Sequence, residues 1–287
     1  MKSPHLITKF FIASILWTVG FFSLALFAGI KAYKSDPDIL TKLENKYNVR
    51  IDQNGIHGEF ESFKNTDWKK SVANWKFLVP KQKLTIKTFS GDIQVIQSKD
   101  SEVHISAKGL LNENKSKKLL ETEISDDELV VSEIKNATNN LLIQIEIPSG
   151  YNQNIAITSF AGDISIVDLN LSQLDLATVS GEIAINKMKI KILDTKTVSG
   201  EIRASDSEIS EFVGKSVSGD FNISNKIETE TSVKTVSGDV HLNLTPSESY
   251  KFSLKSVSGD IENTKSNNKS GTKNIEISTT SGDIEIL

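Results

Sequence analysis

A small residue, a glycine, an acid and an apolar residue follow one another eight times in this sequence. The copies are SGDI at Ser90, AGDI at Ala161, SGEI at Ser180 and Ser199, SGDF at Ser218, SGDV at Ser237, and SGDI at Ser258 and Ser281. If the copies stack, the acids Asp163, Glu182, Glu201, Asp220, Asp239, Asp260 and Asp283 form a ladder of carboxylates. Such a ladder could hold Ca²⁺ through oxygen ligands or supply the acids of a polysaccharide-cleaving β-helix. Neither role is obligatory, because two carboxylates about 5 Å apart in water repel by only about 1 kcal/mol before salt screens them. Lys196, Lys215, Lys234 and Lys255 each stand four residues before their glycine, so a basic ladder offsets the acidic one. The expected role of both ladders is a solvated face.

Other patterns that could do chemistry are missing from the sequence. His5, His57, His104 and His241 are scattered without metal-ligand spacing, and the absence of cysteine excludes thiolate sites and disulfides. The serine before glycine recurs seven times, which suits a turn hydroxyl better than a single nucleophile. No nucleotide-binding glycine loop or nucleophile elbow is present. The expectation is a protein that is not an enzyme, with no catalytic, cofactor or metal site. The net charge of −4 conceals an asymmetry, since residues 1–35 carry four lysines and no acid, leaving 29 basic against 37 acidic residues beyond them. A body of charge −8 argues against nucleic acid as a partner.

The elements that position these residues follow from the spacing. Gly162, Gly181, Gly200, Gly219 and Gly238 are 19 residues apart, Gly259 and Gly282 follow at 21 and 23, and Gly91 precedes them. Seven and five residues before the glycine, and two and four after it, the residues are mostly apolar, the alternation of strands with one buried face. A unit of 19 residues must bury its inward side against the next. The fold class expected is all-β, a single-stranded parallel β-solenoid with 19-residue coils, right-handed by analogy with parallel crossovers, with Val198 and Ile202 in its core. A twisted antiparallel sandwich is the rival, and equal intervals fit it poorly. Residues 83–287 form this domain, with variant first coils and a cap at 83–150 and regular coils at 151–287.

Ahead of the domain, residues 10–30 carry no charge and are long enough to cross a bilayer. A retained transmembrane helix in a membrane anchor of residues 1–35 is expected, the alternative being a signal peptide cleaved near Ala25. Residues 36–82, with Trp68 and Trp75, read as a membrane-proximal connector holding a short helix or hairpin. Lysines on both flanks nearly cancel by the positive-inside count; the short leader favours a signal anchor with the body outside the cytoplasm.

FSGDIQV, IEIPSG and the run of TVSGEI and SVSGD segments resemble a bacterial family of unknown function described as a putative adhesin, over residues 83–287. The resemblance implies a β-solenoid at the bacterial envelope, often joined to a membrane segment, with an adhesion or envelope-stress role. The expected function is a membrane-anchored adhesion, binding or structural module facing a surface polymer, another protein or another cell. The alternatives are a scaffold polymerising end to end, on the cytoplasmic face if so oriented, and a carbohydrate-active β-helix. The last segment, ending in Ile284, Ile286 and Leu287, reads as an uncovered strand and so as an association end, for a second copy or another envelope protein.

Overall fold

The computed structural model describes residues 49–52, 55–58, 68–245 and 249–287; the segment expected to span a membrane lies outside them. Every regular element among the described residues is a strand, and no helix there is long and apolar enough to cross a membrane. The chain divides into two units, Met1–Asn65 and Thr66–Leu287. In the first, Val49–Asp52 and Gly55–Gly58 pair as an antiparallel hairpin.

The second unit is a stack of coils. Each coil runs through a strand, the Ser-Gly-acid corner, a second strand and a second corner. Neighbouring coils pair in parallel and in register, Ile164, Ile183, Ile202, Phe221 and Val240 lying side by side on one strand. Leu174, Leu193, Phe212 and Thr231 do so on the other. Their inward side chains are buried to within a few per cent of exposure and form one core. Where the core column narrows at Gly214, the rings of Phe212 and Phe221 fill the space edge to face, with centroids 6.5 Å apart.

The alternation changes phase at the corner. Before the glycine, residues at odd offsets point inward, ending on a Thr or Ser three residues ahead of it; after the glycine, even offsets do. Val198, two residues before Gly200, is therefore part-exposed, and its expected place in the core is corrected; Ile202 is fully buried. The second corner has no glycine. Asp168, Lys187 and Asp206, spaced by 19, adopt φ of 61°, 53° and 51°, a conformation that costs an ordinary L-residue about 1 kcal/mol or more. Side chains of the next coil brace it: the Ser207 hydroxyl accepts from Met188 N at 3.0 Å, and Asn225 Oδ1 accepts from Ser207 N at 3.0 Å.

The order of coils at both ends departs from chain order. The Gly282 coil pairs with the Gly238 coil on one side and the Gly259 coil on the other. Ile284 and Ile286 are thus buried between two neighbours, at 1% and 0% exposure, and with Leu287, 44% exposed, they do not form the open end expected of them. The physical reason is composition. Lys273–Ser278 and Ile284–Ile286 supply four inward isoleucines, whereas the Gly259 coil places Asn263 at an inward position and leaves Ile261 45% exposed. The more apolar coil takes the inner slot. Asn267 and Asn268 cover part of the outer coil, bonding the backbone of Phe252 and Tyr250.

At the opposite end the Gly91 coil, first in the chain, lies second in the stack. Glu128–Glu133 and Thr138–Pro148 lie outside it, and Val103–Asn112, Leu120–Ile124 and Trp68–Phe77 extend this end antiparallel. The sheet therefore begins at Trp68, inside the segment read as connector. The outermost coil lacks a Ser-Gly-acid corner, and Glu133 replaces it: its buried carboxylate accepts from the amides of Phe89, Ser90 and Gly91 at 2.6, 3.0 and 3.2 Å and from the Thr138 hydroxyl at 2.6 Å. Glu133→Ala is expected to cost about 2–3 kcal/mol, since it leaves several buried donors unpaired. Thermal unfolding of the full chain measures it, and a loss under about 0.5 kcal/mol would contradict this role for Glu133.

Candidate interaction surface

Each corner is assembled from four columns of residues. The innermost is the hydroxyl three residues before the glycine, which accepts the glycine amide: Thr178 from Gly181 at 3.0 Å, Thr197 from Gly200 at 2.8 Å, Ser216 from Gly219 at 2.6 Å, and so on through Ser159, Thr235, Ser256 and Thr279. At Gly91 the amide goes to Glu133 instead, and the Thr88 hydroxyl is left buried without a partner. The serine adjoining the glycine, expected to supply the turn hydroxyl, is exposed, and its bonds to the preceding coil are long, at 3.3–3.5 Å.

The glycines form the second column. Gly91, Gly162, Gly181, Gly200, Gly219, Gly238, Gly282 and Gly259 stack in that order, and from Gly162 onward a Cβ would run into the carbonyl of the stacking neighbour. Close approach, not a left-handed backbone, is what requires glycine here.

The acids are the third column, and they are not merely solvated. Asp163 Oδ1 accepts from Glu182 N, Asp220 Oδ1 from Asp239 N, Asp239 Oδ1 from Asp283 N and Asp283 Oδ1 from Asp260 N, all at 2.8 Å. Each of these four aspartates caps the corner stacked on it, a reach the longer glutamates do not use. Glu182 and Glu201 are instead clamped by Arg203, and Asn222 donates to Glu201 as well. The hydrogen bond from Arg203 is the main reason the Glu201 carboxyl is held below its ordinary range. Its contribution to stability is therefore present above the unfolded carboxylate range and is lost as pH falls through the lowered value.

With one oxygen of every corner aspartate but Asp260 on a backbone amide, the ladder is a poor cation cage. No cluster of three or more metal-ligating side chains occurs among the described residues. EDTA is expected to leave the unfolding midpoint of the protein unchanged; a fall of many degrees reversed by Ca²⁺ would overturn this.

The fourth column points outward and is apolar but for one position. Phe89, Phe160, Val179, Val198, Val217, Val236, Thr280 and Val257, each two residues before its glycine, run along the corner in stack order, with Phe160 60%, Val236 50% and Val257 70% exposed. Eight corners at about 4.8 Å per coil make a ridge about 34 Å long. The basic ladder flanks it: Lys196, Lys215 and Lys234 are adjacent, while Ser278 separates Lys234 from Lys255. The acids lie on its other flank.

Residues 81–287 match the model of the family described as Toastrack DUF4097. A solved structure of a Bacteroides fragilis protein described as a putative adhesin is 16% identical, with a TM-score of 0.52, and the match covers 76% of this chain and 98% of that one. A putative adhesin from Parabacteroides distasonis is 14% identical, with a TM-score of 0.46, covering 76% and 97%. No curated protein matches the sequence.

Proposed function

Since the chain belongs to the Toastrack DUF4097 family, we propose that it is a non-enzymatic, membrane-tethered adhesion or binding module of the bacterial envelope. The observation that carries this reading is the outward apolar column. The hydroxyls, most aspartates and Glu133 are taken up in holding corners together, while a row of phenylalanines and valines, broken at Thr280, stays exposed or part-exposed along the stack. Exposed apolar surface of that extent marks a contact site, and repeat architectures bind along such faces.

In this reading residues 10–30 hold the protein in the membrane, the body lies outside the cytoplasm, and the phenylalanine end of the ridge meets a surface polymer. Phe89 and Phe160 sit in adjacent coils there.

The test is cosedimentation of the full-length protein with purified envelope polysaccharide, alongside protease shaving of intact cells. Phe160→Ser with Val198→Ser is expected to lower retention at least fivefold without moving the unfolding midpoint. Equal retention, or a body shielded from protease in intact cells, would sink the proposal.

A further inference from the structure

The valine end of the ridge differs from the phenylalanine end in its charges. Around Gly181 and Gly200 the acids are neutralised by Arg203, and Thr158 and Ala177 interrupt the basic ladder. Over the last four coils no arginine neutralises the acids, and only Ser278 interrupts the basic ladder. Asp220, Asp239, Asp283 and Asp260 have no ion-pair partner among the described residues; nor do Lys215 and Lys255, whereas Lys234 meets Glu276 at 3.3 Å. This patch thus has three columns: Lys215, Lys234, Ser278 and Lys255 on one flank, Val217, Val236, Thr280 and Val257 in the middle, and four aspartates on the other flank.

We propose that this patch pairs with the same patch on a second copy, about a two-fold axis running along the stack. The charges select the axis. Rotation about a line parallel to the ridge sets each copy's lysine flank against the other's aspartate flank, Lys215 facing Asp220 and Lys255 facing Asp260. Rotation about a line across the ridge sets lysines on lysines and aspartates on aspartates. The favoured arrangement is isologous and closed. It rests on the tethered reading only for the local concentration that a membrane anchor would supply.

The open Gly259 end is a poorer candidate for self-association. Its counterpart at the other end of the stack is closed by Glu133 and the antiparallel strands, so head-to-tail contact has no receiving coil. The side patch spans only about 14 Å of stack, well under the roughly 800 Å² per partner of a standard stable interface. Pairing is therefore weak in solution and takes hold where tethering raises the local concentration.

The absence of cysteine makes the test direct. Full-length Val217→Cys, Val236→Cys and Val257→Cys are each reconstituted in lipid vesicles and mildly oxidised, with Ile192→Cys, 40% exposed and outside the ridge, as the reference. Each valine position is expected to form a same-position disulfide at least fivefold faster than Ile192→Cys. Adding Lys215→Glu and Lys234→Glu to Val236→Cys is expected to remove that advantage while the unfolding midpoint stays put. Rates no faster than the reference, or Val217→Cys joining Val257→Cys in preference to itself, would overturn the pairing. If retention on polysaccharide still falls with the Phe160 and Val198 changes, such a failure leaves the binding reading standing.

Discussion

Gly200→Ala is expected to destabilise the protein by at least about 3 kcal/mol, roughly 6–12 °C in unfolding midpoint for a domain of this size. The added methyl would overlap the carbonyl oxygen of Gly181 and press on the Thr197 hydroxyl. Neither can retreat. The carbonyl belongs to a backbone held in register by ladders on both strands, and Thr197 accepts the glycine amide. Relief would require two coils to separate, breaking the corner bonds between them. Gly150→Ala is the matched control, because a methyl there meets nothing within 4 Å. Calorimetry on the two variants decides the matter, and equal midpoints would refute close approach as the reason for glycine.

Ile202→Asp should cost about 4 kcal/mol or more, and Val198→Asp under about 1 kcal/mol. Ile202 is fully buried between Ile183 and Phe221, where a carboxylate would find no partner. Val198 lies outside the phase change at the corner, and a charge placed there stays in water. Denaturant unfolding with the slope compared between variants makes the measurement. Comparable losses at the two positions would show that the corner does not shift the alternation.

Those two residues also show how far the sequence can be read. The stacking, the 19-residue register and the inward residues seven and five before each glycine follow from periodicity alone, because a parallel ladder repeats its environment in every coil. The orientation of Val198 does not, since a β-branched residue in an alternating run looks like core. A signal was nevertheless present: position three before the glycine is Thr or Ser in all eight copies, at Thr88, Ser159, Thr178, Thr197, Ser216, Thr235, Ser256 and Thr279. A hydroxyl so regularly placed bonds the corner and must face it.

The exchange of coils at the ends was harder to see, because pairing order is a tertiary property. Its traces are Asn263 at an inward position and the lengthened intervals of 21 and 23. The exposed ridge was hidden for a related reason, as exposure depends on where the corner breaks the alternation. Glu133, isolated in sequence, carried no signal of its role. The second corner was missed because Asp168, Lys187 and Asp206 do there what glycine would do with less strain.

The slotting of Lys273–Ser278 between its two neighbours bears on how the chain is made. Translation delivers Tyr250–Lys255 and Ile261–Asn263 before the segments that come to lie beneath them. At about 5–20 residues per second, the 24 residues after Asn263 take roughly one to five seconds to be added. During that interval the Gly259 coil has no ladder to join, and Tyr250 and Phe252 stand uncovered on a growing polypeptide. Nascent chains in that condition are prone to pair with one another. Lys251, Ser253 and Lys255 alternate with Tyr250, Phe252 and Leu254 on this stretch, and charges placed so guard a strand against the wrong neighbour until the right one arrives.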